Sequence, residues 1–251
     1  MRVLCVQGIH SSVGTSTIVA NTSRILKEFG HDVLVFDLNP NNLLRLHFNM
    51  DWHNPTGWAS NITQEKSWYS AAFECEQGVC FIPFGQINYN KLQSLLITSI
   101  TENWLYDQLF SLKLSSEAWI IINISSEINT LSTQALKLGD IIIRVIEPEM
   151  NSLSQAINSI QSSYISENES LADKSFYLIN KLSPGSELDY DVLSILKRLL
   201  LKKIIPVTIH FDENIKEALA NKTTVTVYAP KSPAANELRT LAVWLKSHFN
   251  R

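Results

Sequence analysis

The chemistry this chain could do is concentrated in Gly8-Ile-His-Ser-Ser-Val-Gly-Thr-Ser-Thr17, a turn rich in small residues between a short apolar run and an amphipathic one. In a strand-to-helix turn the main-chain N–H groups point at one spot and the helix N-terminus adds partial positive charge, which suits a phosphate. Ser11, Ser12 and Gly14 let a phosphate approach the main chain around Val13, although serine is less free in φ than glycine. Ser16 is placed to offer a hydroxyl to a magnesium ion, and Thr17 to contact a phosphate. The simple phosphate-loop pattern is G-x-x-x-x-G-K-[ST]. Here Thr15 takes the lysine position, and the step from Gly8 to Gly14 is one residue longer. The spacing fits a variant, K-G-G-x-G-K-[ST]-T, with His10 at its first lysine. The Gly-x-Gly-x-x-Gly of a dinucleotide site is absent. On these residues alone, a plain strand-to-helix turn stays open beside a phosphate site.

The elements that must position this loop alternate along the chain. Val3–Gln7, Val33–Asp37, Val79–Pro83, Trp119–Ile124, Ile141–Ile146, Phe176–Asn180 and Ile205–Ile209 are nearly continuous in apolar residues, as strands covered on both faces are. Helices are expected at Ser16–Phe29, Leu92–Leu112, Thr130–Lys137, Asn151–Tyr164, Asp189–Leu201, Asn214–Ala220 and Ala234–His248. This alternation predicts an α/β fold with one doubly wound, mainly parallel sheet flanked by helices. The 251 residues form a single domain, with an irregular Trp-rich insertion at about 41–77. That stretch holds Trp52, Trp58 and Trp68, read as a cap on the sheet edge, with a partner surface as the sharper alternative. Three further positions bear on the loop. Asp37 ends the second strand, where a carboxylate can approach magnesium. Asn180 ends a late strand and could read an adenine edge, and Pro206 follows in Ile-Ile-Pro-Val. Taken singly, Asp37 as a turn cap and Asn180 as a strand-end turn residue are equally good readings.

Composition narrows the class. Hydrophobic residues are 45% and charged residues 18%, enough for a full core. No run approaches the about eighteen apolar residues of a membrane helix, and Met1–Gln7 lacks a secretory pattern. Cys5, Cys75 and Cys80 have no metal-ligand spacing and are expected to be reduced, buried thiols of a cytoplasmic protein. A net charge of −3 argues against a nucleic-acid partner.

With the loop, the stretch Pro40-Asn-Asn-Leu-Leu-Arg-Leu-His-Phe-Asn-Met-Asp51, Gly57-Trp-Ala59, Pro83-Phe-Gly-Gln86 and Ile209-His-Phe-Asp-Glu213 in view, the chain resembles the MinD/ParA group of deviant-Walker P-loop ATPases, and within it the BcsQ (YhjQ) family of the cellulose synthase operon. The similarity runs over essentially the whole chain. The Asn42–Asp51 and Pro83–Gln86 stretches are specific to that family, and its loop carries the same threonine for lysine. The resemblance implies a cytoplasmic accessory factor of bacterial cellulose secretion that binds ATP and Mg2+ in a face-to-face homodimer. It implies partners of the BcsR and BcsE kinds, near the inner-membrane cellulose synthase complex. It also implies nucleotide contacts from His10, Ser11, Ser12, Val13, Gly14, Thr15, Ser16, Thr17, Asn180 and Pro206, and magnesium contacts from Ser16 and Asp37.

Against the wider group, His10 and Thr15 stand where lysines are usual, and Asn39 and Asn123 where aspartates are usual. Two positive and two negative charges are thus gone together, and the catalytic equipment is reduced. Asn39 can orient a water but cannot take its proton. A hydrogen bond to a charged group contributes roughly 1.5–3 kcal/mol, so the missing lysine is expected to weaken nucleotide binding about ten- to a hundred-fold. Nucleotide binding with very slow or absent hydrolysis follows. His10, if protonated beside a phosphate, could partly replace the crossing lysine; a loop histidine without that contact is the equal alternative. The apolar stripe of Ala234–His248 is expected to pack on the sheet rather than on a membrane. A nucleotide-free scaffold is the main rival. A partition-type ATPase would need more than the modest basic cluster of Arg198, Lys202 and Lys203. A reductase of the nitrogenase iron-protein type would need bridging cysteines after the later strands, and none lies beyond Cys80.

Overall fold

The computed structural model of the protein describes residues 1–76, 78–98, 100–165 and 169–249; Gln77, at the end of the Trp-rich stretch, lies outside them. The strands are β1 (Arg2–Gly8), β2 (Val33–Asp37), β3 (Phe73–Glu74), β4 (Cys80–Ile82), β5 (Trp119–Ile124), β6 (Ile141–Ile146), β7 (Ser175–Leu182) and β8 (Ile204–His210). They form one sheet in the order β3-β4-β2-β5-β1-β6-β7-β8. Every pairing is parallel except β3 with β4. The helices are α1 (Thr15–Glu28), α2 (Leu44–His47), α3 (Trp58–Ile62), α4 (Tyr89–Thr98), α5 (Trp104–Ser111), α6 (Thr130–Leu138), α7 (Met150–Ile165), α8 (Glu169–Lys174), α9 (Glu187–Leu200), α10 (Glu213–Ala220), α11 (Val225–Tyr228) and α12 (Pro233–Phe249).

The expected doubly wound architecture is therefore the observed one, and its chemistry follows from β1. Side chains alternate along a strand, so Leu4 and Val6 join one apolar layer and Val3 and Cys5 the other. The first layer is roofed by Ile18 and Ile25 of α1 and by Leu238, Leu241 and Leu245 of α12; all five are buried. The last helix thus buries its stripe on the sheet. β1 pairs with β5 on one side and β6 on the other, and the chain winds outward in both directions from there. Loops at the carboxyl ends of such central strands diverge and leave a crevice, and Gly8–Thr17 lies in it.

Three local differences from the expected elements have physical reasons. The helix expected over Leu92–Leu112 is two helices. Gln134 of α6 donates to the Thr101 carbonyl at 2.8 Å and accepts from the Leu105 N–H at 2.9 Å, so the polar groups exposed by the break are satisfied. β3 is a two-residue antiparallel edge strand, too short for alternation to register. In the Trp-rich stretch, Trp58 is fully buried; its indole N–H donates to the Asp37 carbonyl at 2.8 Å and its ring stacks on Phe36 at 5.7 Å. Trp68 meets Phe36 edge-on. Trp52 differs: it is 53% exposed, with the Arg45 guanidinium over its ring. No helix among the described residues is long and apolar enough to cross a membrane.

Candidate nucleotide-binding site

β1 ends at Gly8 and α1 begins at Thr15, so the loop is held between the central strand and a helix buried beneath it. Two loop residues take left-handed backbone, Ser12 at φ 67° and Gly14 at φ 92°. At Gly14 the requirement is steric as well, because a Cβ would sit 2.4 Å from the Asn180 amide nitrogen. α1 has no side-chain N-cap and no acidic residue in its first turn. Its leading N–H groups are therefore not claimed by a local carboxylate, the condition an incoming phosphate meets. Thr15 turns its hydroxyl back over Gly8, 2.9 Å from where a Cβ would lie there. Val13 is buried in the core, and Thr17 offers its carbonyl to the Asn21 amide at 2.9 Å.

Beside the loop, three side chains converge. Asp37 and Asn123 face each other in register on β2 and β5, both fully buried. The Asn123 amide donates to Asp37 Oδ1 at 2.8 Å and reaches Ser16 Oγ at 3.4 Å. Asp37 Oδ2 and Asn123 Oδ1 are buried without a hydrogen-bond partner. Burial pushes the Asp37 carboxyl up from 3.8 to about 7, against the opposing pull of the Asn39 N–H and the Asn123 amide. Buried polar atoms are normally satisfied, so two orphaned oxygens on a pair whose amide reaches the Ser16 hydroxyl signal a missing partner. Oxygen donors of this kind suit a hard divalent cation such as magnesium, whose remaining ligands would be phosphate oxygens and water. No group of three or more His, Cys, Asp or Glu able to hold a metal occurs among the described residues.

The remaining expected residues fall differently. Asn39 sits in a tight turn: its N–H donates to Asp37 Oδ1 and its Oδ1 accepts from the Asn41 N–H, both at 3.0 Å. His10 is clasped within its own chain, Nδ1 on the Ser11 carbonyl at 2.8 Å and Nε2 near Ser152 Oγ at 2.8 Å and Glu149 Oε1 at 3.0 Å. A histidine with both ring nitrogens engaged this way does not reach outward. Ser11 is exposed. Asn180 is buried near the end of β7, and its amide donates one hydrogen bond to the Val13 carbonyl at 2.7 Å, which ties it to the loop. Pro206 lies away from the site. It is exposed within edge strand β8, four residues before the strand's carboxyl end, and the residues that reach the loop side there are His210, Phe211 and Asp212. Lys181, which sequence reasoning passed over, places its ammonium 2.6 Å from the Ser12 carbonyl. Its signal was its position directly after Asn180 at a strand end.

Solved structures share this architecture. A cobyrinic acid a,c-diamide synthase from Mycobacterium smegmatis, determined with a bound ATP analog and magnesium, is 19% identical with a TM-score of 0.76, covering 100% of this chain and 96% of that one. The septum site-determining protein MinD of Pyrococcus horikoshii, complexed with Mg-ADP, is 19% identical with a TM-score of 0.73, covering 96% and 94%. A ParA family ATPase from Chlorobium tepidum is 20% identical with a TM-score of 0.75, covering 96% and 97%. These likenesses establish the fold. Sequence relatives are nearer: the cellulose biosynthesis protein BcsQ of Escherichia coli K12 is 30% identical over 251 residues, 100% of this chain and 96% of that protein. The Salmonella typhi protein of the same name is 28% identical over 249 residues, 99% and 95%. A family model for cellulose biosynthesis protein BcsQ matches residues 1–245, and on that match the chain belongs to the BcsQ family of cellulose biosynthesis proteins.

Proposed function

We propose that this protein binds ATP with magnesium at the Gly8–Thr17 loop and uses the bound nucleotide as a structural switch in cellulose biosynthesis, with very slow or no hydrolysis. The observation that carries this reading is the pairing of an uncapped α1 N-terminus with the orphaned Asp37 Oδ2, on a carboxylate linked to Ser16 through the Asn123 amide. The loop amides and α1 would hold the phosphates, and Ser16 and Asp37 would hold the magnesium, which when bound offsets phosphate charge. Hydrolysis needs more. Phosphoryl transfer rests on positioning and on charge opposed to the transferred group. Thr15 supplies a hydroxyl in place of an ammonium, Asn123 an amide in place of a carboxylate, and Asn39 is spent on its own turn.

The same reading makes the protein a cytoplasmic accessory factor that dimerises face to face around nucleotide and acts with BcsR-like and BcsE-like partners near the inner-membrane synthase. Support comes from family membership and from the MinD- and ParA-type fold, which the ATP-analog and Mg-ADP structures share. The deciding experiment is to release and identify nucleotide from gently purified protein, then record its native mass with added magnesium ATP. A bound adenine nucleotide and a nucleotide-dependent doubling of mass are expected. Protein that neither carries nor takes up nucleotide would leave a scaffold that kept the fold alone, and rapid magnesium-dependent turnover would overturn the switch.

A further inference from the structure

Lys181 has a backbone φ of 56° at the end of β7, and its side chain lies against the phosphate-type loop. The ammonium donates to the Ser12 carbonyl at 2.6 Å and pairs with the Glu147 carboxylate, also at 2.6 Å. The preceding Asn180 amide holds the next carbonyl, that of Val13. Two consecutive side chains thus hold two consecutive loop carbonyls. A peptide unit is planar and trans, so its C=O and the following N–H point in opposite directions. Drawing the Ser12 and Val13 carbonyls toward β7 turns the Val13 and Gly14 N–H groups away from it, onto the side where a phosphate would meet them.

Charge adds to this. Glu147 touches Lys181, and Glu149 lies 3.0 Å from His10. Without a neighbouring ammonium, two carboxylates would stand beside this loop with their charge less offset, and their field would oppose an arriving phosphate. We infer that Lys181 is a positioning residue of the nucleotide site and the cation that offsets Glu147 beside a loop whose own lysine positions hold His10 and Thr15. The inference rests on the nucleotide site proposed above.

Calorimetric titration of magnesium ATP into the full chain tests it, with folding of each variant checked by circular dichroism. Lys181→Met is expected to weaken binding at least about tenfold, the scale of one charge-assisted hydrogen bond. Lys181→Arg, which keeps a charged donor, is expected to stay within about threefold of wild type. Glu147→Gln, which leaves the ammonium in place and removes a negative charge beside the loop, is expected to bind as tightly as wild type or more tightly. Wild-type binding that Lys181→Met leaves unchanged, a loss in Lys181→Arg as deep as in Lys181→Met, or a tenfold loss in Glu147→Gln would each overturn the inference while leaving the nucleotide site standing. A wild type that binds no magnesium ATP overturns both.

Discussion

Replacing Asp37 with asparagine should make the unliganded protein more stable, and by an amount that grows with pH. In the unfolded chain this carboxyl titrates at its ordinary 3.8; in the folded chain burial lifts it to about 7. Below pH 4 both states hold the proton and the residue contributes no penalty. As pH rises toward 7 the unfolded chain has released the proton while the folded chain keeps it, so stability falls with rising pH. Above about 7 the whole cost is present. Each unit is worth about 1.4 kcal/mol, so between pH 5 and pH 8 the wild type loses roughly 3 kcal/mol that Asp37→Asn does not. For a chain of this size that widens the gap in melting temperature by on the order of 5–10 °C. Asparagine fits the geometry: its oxygen can accept from the Asn123 amide as Asp37 Oδ1 does at 2.8 Å. Thermal melts of both proteins without magnesium, at pH 5 and pH 8, measure the gap. On the proposed function, saturating magnesium ATP should reverse the ranking at pH 8, because a bound cation would stabilise the ionised carboxylate and the variant cannot offer one. A gap that stays constant between the two pH values would refute the reasoning, since it would mean that Asp37 titrates like a solvated carboxyl.

Three other outcomes follow from the same geometry. Gly14→Ala should destabilise the fold by about 1–3 kcal/mol in urea melts and abolish nucleotide uptake, because an alanine is strained at φ 92° and its Cβ would collide with the Asn180 amide. Trp58→Ala should cost about 3–5 kcal/mol by the same measurement, since it empties a fully buried site stacked on Phe36 and packed at a tilt against Trp104, and frees the Asp37 carbonyl. His10→Ala should leave nucleotide-linked dimerisation unchanged in sedimentation velocity, because both ring nitrogens are spent on Ser11, Ser152 and Glu149 of the same chain.

Much of this fold is readable from residue patterns because its strands are buried on both faces. Val33–Phe36 and Trp119–Ile122 are unbroken apolar runs, as the middle of a covered sheet requires. The loop was legible as a strand-to-helix turn of small residues, although those residues alone left a plain turn open beside a phosphate site. What the pattern could not carry was geometry set by distant partners. The break between α4 and α5 depends on Gln134, about thirty positions downstream. Pro206 came into the expected site through the family resemblance; it stands near the start of the expected strand Ile205–Ile209, and β8 runs on to His210. Lys181 drew no reading from the sequence; only the fold brings it 169 positions back onto Ser12.

The substitutions around the loop make sense together rather than singly. Suppose Asn123 were an aspartate, with Asp37 2.8 Å away in a fully buried pocket. Two carboxylates at that distance cannot both ionise, and one pKa would climb steeply unless a cation stood between them. In a loop with a lysine at position 15, that cation would be at hand before nucleotide arrived. Here position 15 holds a hydroxyl turned back over Gly8. An amide at position 123 removes the repulsion and at the same time donates to the carboxylate that remains. A single acidic group is left there, which on the proposed function would suit holding a nucleotide and not cleaving it. An ammonium does stand at this loop, but it comes from β7 and is paired with Glu147, on the carbonyl side of the turn. A charge placed there can shape the loop without touching the bond that hydrolysis would break.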